Sequence, residues 1–174
     1  MNPGITQANI HETICNPTWS TRSIRPPASY TNALKKQQLA NLQYKDKVTS
    51  HYEEDHLISL ELGGHPRDPK NLWPEMWGTP GQPLTSNGPF PPHLIGAKAK
   101  DSVENRLHKE VCARTLTLDE AQRIIATDWF KYYRDYVLKY LPALSGSARR
   151  RAVLPPDAPI QRVAVGLRGI RRTR

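Results

Sequence analysis

The chain of 174 residues contains only two cysteines, Cys15 and Cys112. With no C-x-x-C pair it cannot build the four-cysteine zinc knuckle that holds many small domains together, and no structural zinc is expected. The two cysteines can form one disulfide if the protein is exported, or stay as thiols in the cytosol. No apolar run approaches the ~20 residues that a membrane-spanning helix needs, which excludes a membrane-embedded chain. Residues 1–10 are polar, with neither a basic start nor an apolar stretch. As written they carry no secretory signal, so a cytoplasmic location is favoured and export stays open. There is no internal repeat.

What is abundant is proline, 16 residues of it, and positive charge, +9 overall. The charge is unevenly placed. Residues 145–174 hold eight Arg and a single Asp, whereas the first 144 residues are nearly balanced, with 17 basic against 15 acidic side chains. This divides the chain into a globular domain over 1–144 and an Arg- and Pro-rich extension over 145–174 that reads as disordered. Such a tail attracts polyanions by counterion release. Residues 77–92 carry five Pro and three Gly, a composition that holds neither a helix nor a central strand. A loop of that length is functional or mobile.

The remaining pattern predicts an α+β domain, mainly helical. Thr31–Leu42 reads as a short helix. Tyr52–Gly64 and the piece entered by Leu72-Trp73-Pro74 read as two extended segments joined through Gly63-Gly64. Ala97–Ala113 places Val103, Leu107 and Val111 on one apolar stripe. Thr117 and Glu120 form a capping box for a last helix running to about Leu141, where Pro142 stops it. Trp129, Tyr132 and Tyr136 lie on the broad apolar side of that helix, and the row Tyr132, Tyr133, Tyr136 and Tyr140 reads as core plus rim.

The informative run is Glu54-Asp55-His56-Leu57-Ile58-Ser59-Leu60-Glu61-Leu62-Gly63-Gly64, followed by Asn71-Leu72-Trp73-Pro74. On a regular strand Asp55 and His56 point to opposite faces, so both serve one site only where the strand bends or ends. A carboxylate suits a hard divalent cation, and a neutral imidazole beside it can take a proton from water. Asn can fix the ring's tautomer. On the helix, Asp101, Asn105, His108 and Cys112 fall within a strip about 60° wide, away from the apolar stripe. Asn105 or His108 is the expected cation ligand there. Glu53, Glu61 and Glu75 read as acidic neighbours or ordinary surface charge, and His11, His51, His65 and His93 as surface or loop residues.

This run resembles the HNH nuclease superfamily: an Asp-His pair, an apolar run, a Gly-Gly turn, and an Asn-Leu pair about fifteen residues after the His. The flanks 5–39 and 99–129 also look like those of bacterial HNH-type proteins lacking a zinc knuckle. The resemblance implies a ββα-metal core over 52–113, in which a hairpin and a helix hold one divalent ion, Mg²⁺ or Mn²⁺. Carried over, His56 is the general base, Asp55 a metal ligand and Asn71 the residue that orients His56. The chain departs from the pattern in its Pro-rich insertion before the helix and in Ser59, where relatives often have Pro. The implied activity is metal-dependent hydrolysis of phosphodiester bonds, in DNA first. Arg67, Lys70, Lys98, Lys100 and Arg106 are expected to grip phosphates. The alternatives are a nucleic-acid-binding protein that keeps the fold without cleavage, and a protein in which the Asp-His pair is incidental. Oligomeric state and nucleic-acid type are not readable.

Overall fold

The computed structural model describes residues 1–42, 44–78 and 96–137. The Arg-rich extension, most of the Pro-rich loop, and the end of the last helix with its Pro142 stop lie outside the described residues. Within them the chain is a small α+β domain: one two-stranded antiparallel sheet and three main helices. No helix among the described residues is long and apolar enough to cross a membrane.

The first helix, α1 (Ala28–Asn41), starts three residues earlier than its apolar pattern suggests, because Pro27 with φ −65° sits at its N-cap and presets the entry. It lies against the hairpin of β1 (Tyr52–His56) and β2 (Leu72–Met76). Lys35 Nζ donates to the Tyr52 carbonyl at 2.8 Å and Gln38 Nε2 to the Leu72 carbonyl at 2.9 Å. The register pairs Tyr52 with Met76 and His56 with Leu72. Pro74 is tolerated because a two-stranded sheet has only edge strands.

The strands are joined by residues 57–71, and here the paired glycines are required. Gly63 takes a left-handed φ of 75°, and a Cβ on Gly64 would stand 1.7 Å from the Ile58 carbonyl oxygen. The extended segment expected as far as Gly64 ends instead at His56, and Leu60–Leu62 forms a single helical turn whose leucines are buried.

The main core lies on the other side of this connection. Val103, Leu107 and Val111 of α2 (Ala97–Cys112) pack on Leu118, Ala121 and Ile125 of α3 (Leu118–Tyr132), and on Ile5, Ile10 and Ile14 of the N-terminal segment. Cys15 and Cys112 are joined in a disulfide that closes the N-terminal segment onto the end of α2. The capping box of Thr117 and Glu120 forms as expected. The last helix is not continuous: Asp128 is non-helical at φ −157° and ψ 66°. Its Oδ1 accepts from the Lys131 N–H at 2.9 Å, so it acts as an internal N-cap that restarts the helix in a new phase. As a result Tyr133 is buried along with Tyr132, Trp129 is only partly covered, and Tyr136 is 48% exposed, contrary to the single apolar side expected.

Candidate functional site

β1 alternates in burial. Glu54 turns toward α1, where its charge acts on Tyr44 and is in turn eased by Lys35, while Asp55 turns toward α2. The strand ends at His56, and that ending lets Asp55 and His56 line one cavity of about 180 Å³. The cavity is also lined by Glu53, Glu61, Asp101, Glu104 and Asn105, by Ser59, and by Thr21 and Arg25 of the N-terminal segment. A larger depression of about 390 Å³, between the N-terminal segment and the α2–α3 turn, contains none of the expected site residues.

His56 is buried at 4% exposure, and its Nε2 lies 3.1 Å from the Pro66 carbonyl oxygen. A carbonyl only accepts, so Nε2 carries the proton and the neutral ring keeps its lone pair on Nδ1. Burial holds the imidazole below its usual range, helped by Arg25 and Lys100 and opposed by the Pro66 bond and Asp55. It is therefore an unprotonated base at neutral pH.

Asn71 does not touch this ring. Its Oδ1 accepts from the Ile58 N–H at 2.9 Å, and its Nδ2 donates to the carbonyls of Ile58 at 3.0 Å and His65 at 3.1 Å. It braces the 57–71 connection across its base, and through that loop it places the Pro66 carbonyl. His65 adds to the bracing, because its Nδ1 accepts from the N–H groups of Arg67 and Asp68.

Lys100 corrects the sequence reading. Expected at a phosphate, it is wholly buried and donates to Asp55 Oδ2 at 2.7 Å, to the His56 carbonyl at 2.7 Å, and to Glu104 Oε1. An ammonium with three donors and three acceptors is satisfied and has nothing left for a ligand. Burial raises the Asp55 carboxyl, but the Lys100 charge and hydrogen bonds outweigh it and hold Asp55 low. Glu75, also buried, is pushed well above the carboxylate range by burial and by Asp55, and shares a hydrogen bond with it.

Of the other expected phosphate contacts, Arg67 and Lys70 are exposed on the 57–71 connection, away from the cavity lining. The Arg67 guanidinium sits 5.9 Å from the Tyr30 ring centroid. Lys98 pairs with Asp101 at 3.0 Å, and Arg106 with Glu110 at 3.0 Å. None of these four lines the cavity.

The helix strip is also divided. Asp101 and Asn105 reach the cavity, and Asn105 Nδ2 donates to the Asp101 carbonyl at 2.7 Å. His108, a turn further on, faces the N-terminal segment. Its Nε2 lies 2.8 Å from the Ile14 carbonyl and 3.4 Å from Cys112 Sγ. Its Nδ1 lies 4.0 Å from Glu61 Oε2, but His108 is not part of the cavity lining, whereas Asn105 is.

Several cavity acids are strained by one another. Burial lifts Glu53 to about 7, with Asp55 and Asp101 adding to it, and Glu104 to about 8, against the pull of Lys100. Glu61 is raised by burial as well. Glu53 Oε2 is buried and hydrogen-bonds to no described residue. The oxygen-rich donor set fits a hard divalent cation. Mg²⁺ asks for only one or two carboxylates, the rest of its shell being water and phosphate oxygen. Among the described residues, the only three or more His, Cys, Asp or Glu ligand atoms within 4.8 Å of one another are those of Cys15, His108 and Cys112. The disulfide removes those two thiols as ligands.

Sequence reasoning passed over Arg25, Thr21 and Glu104. The first two come from a segment with no motif, and Glu104 carried no signal apart from its i+4 spacing from Lys100. Comparison of the chain with protein families, with curated proteins and with solved structures gives no match.

Proposed function

We propose that the chain is a divalent-cation-dependent endonuclease that hydrolyses phosphodiester bonds, in DNA first, in the manner of the HNH nucleases its central run resembles. The observation that carries this reading is the buried His56 imidazole, its Nε2 3.1 Å from the Pro66 carbonyl oxygen, in the same cavity as Asp55, Glu61, Asp101 and Asn105. His56 would accept the proton of the attacking water at Nδ1. Pro66 holds the tautomer, and the Asn71 brace keeps Pro66 in place. One or two of the carboxylates of Asp55, Glu61 and Asp101, with the Asn105 amide, would hold the cation, which would supply neutralisation of charge at the phosphate. The Arg-rich residues 145–174 would add affinity that ignores sequence and falls with salt.

A second reading, a nucleic-acid-binding protein without cleavage, is favoured by one observation: the Lys100 ammonium already occupies Asp55. Plasmid nicking separates the two. The nuclease reading expects nicking by the wild type with Mg²⁺ or Mn²⁺, none in EDTA, and none by His56→Ala. Binding without cation-dependent nicking supports the second reading instead.

A further inference from the structure

The cavity that holds His56 is lined by five carboxylates, and among the described residues Arg25 is its only Lys or Arg. A phosphodiester entering such a site meets repulsion, so the wall that carries cationic and neutral donors decides where it can sit. Arg25 is exposed, and among the described residues its side chain makes no hydrogen bond or ion pair, although Glu53 and Glu61 line the same cavity. Arg25 lines the same cavity as His56.

The backbone there is held firmly. The Arg25 N–H donates to the Thr21 carbonyl at 2.9 Å, buried Pro26 and then Pro27 follow, and Cys15 anchors the segment to α2. Ser59 lines the same cavity and is 4% exposed, yet its Oγ hydrogen-bonds to no described residue. A buried hydroxyl without a partner is costly, and this one sits in the wall of a polar cavity.

We propose that Arg25 and Ser59 contact the scissile phosphodiester directly, the guanidinium taking its non-bridging oxygens and the Ser59 hydroxyl donating to the same group. This rests on the nuclease reading and adds a substrate-binding wall to it. A planar guanidinium matches phosphate in a two-pronged way that an ammonium cannot. Ser59 supplies a neutral donor in the same lining.

The test uses the full chain with Arg25→Ala, Arg25→Lys and Ser59→Ala, and with Arg22→Ala as a nearby exposed control. Nicking with Mg²⁺ gives kcat/KM, and anisotropy of a labelled duplex in EDTA over a salt series gives affinity. Arg25→Ala is expected to lose roughly 100-fold or more in kcat/KM and to lower the salt slope by about 0.9. Arg25→Lys recovers part of the rate, Ser59→Ala loses about tenfold, and Arg22→Ala matches wild type. Arg25→Ala within threefold of wild type, with His56→Ala inactive, overturns the proposal and leaves the nuclease reading standing. An equal loss in Arg22→Ala overturns it too, because the effect is then general charge. A wild type that neither nicks nor binds nucleic acid removes both.

Discussion

Replacing Lys100 by Met keeps the side-chain stem and most of its volume but deletes the ammonium. In the native chain that ammonium is fully buried and holds Asp55, Glu104 and the His56 carbonyl together. Without it, two carboxylates and a carbonyl lose their donor beside Glu75, with little access to water. Removing one partner of a buried ionic group costs about 3–5 kcal/mol, because the other charge is left uncompensated. At about 2–4 °C per kcal/mol for a domain of this size, Tm should fall by roughly 10 °C. The assay is thermal unfolding of the full chain followed by circular dichroism at pH 7.5. Lys100→Met/Glu104→Gln, which also replaces the stranded carboxyl with a neutral amide that can donate, should recover part of the loss. If Lys100→Met instead melts within about 3 °C of wild type while losing affinity for DNA, Lys100 is a surface phosphate contact and the buried network is wrong.

Asn71→Ala removes three hydrogen bonds across the base of the 57–71 connection. It should destabilise by about 2–4 kcal/mol, read in urea melts, and leave nicking weak even where the chain remains folded. Reducing the disulfide reopens a separation of 97 residues, worth about 4–5 kcal/mol by loop entropy. A melt in a dithiol should therefore show a large drop, which Cys15→Ser reproduces without reductant. The pH trend has a definite sign. Glu53 and Glu104 are raised to about 7 and 8, so their contribution is complete below the unfolded carboxylate range and lost as pH rises through 7–8. In EDTA the chain should gain roughly 5 °C in Tm between pH 8 and 6.5, and saturating Mg²⁺ should flatten that gain. Below this window His56, whose value is lowered, acts in the opposite direction as it is forced to charge.

Much of the architecture follows from local chemistry. Gly63-Gly64, the Thr117–Glu120 box and the Val103-Leu107-Val111 stripe each dictate their element through short-range sterics, capping or period, and each forms. The break at Asp128 was not legible, because an Asp inside a helical pattern signals a cap only when the chain on either side has somewhere to repack. At the site, Asp55 and His56 were legible as neighbours that share a cavity if the strand ends there, and it does. Lys100 was not. Its sequence context is that of a solvated helix face, and only tertiary packing of α2 against the hairpin end turns it inward. His108 and Asn105 share a helical strip, but along that strip the cavity gives way to the disulfide, a division that angular position alone cannot reveal. Arg25 reaches the cavity through the N-terminal segment fastened by Cys15 to α2, a long-range connection that sequence spacing does not encode.

Mn²⁺ titration into the full chain at pH 7.5, read by calorimetry, asks whether the cavity acids hold a cation beside His56. One site per chain is expected, weakened at least tenfold in Glu61→Gln/Asp101→Asn and unchanged in His108→Ala. No binding by the wild type, or a loss confined to His108→Ala, contradicts that placement.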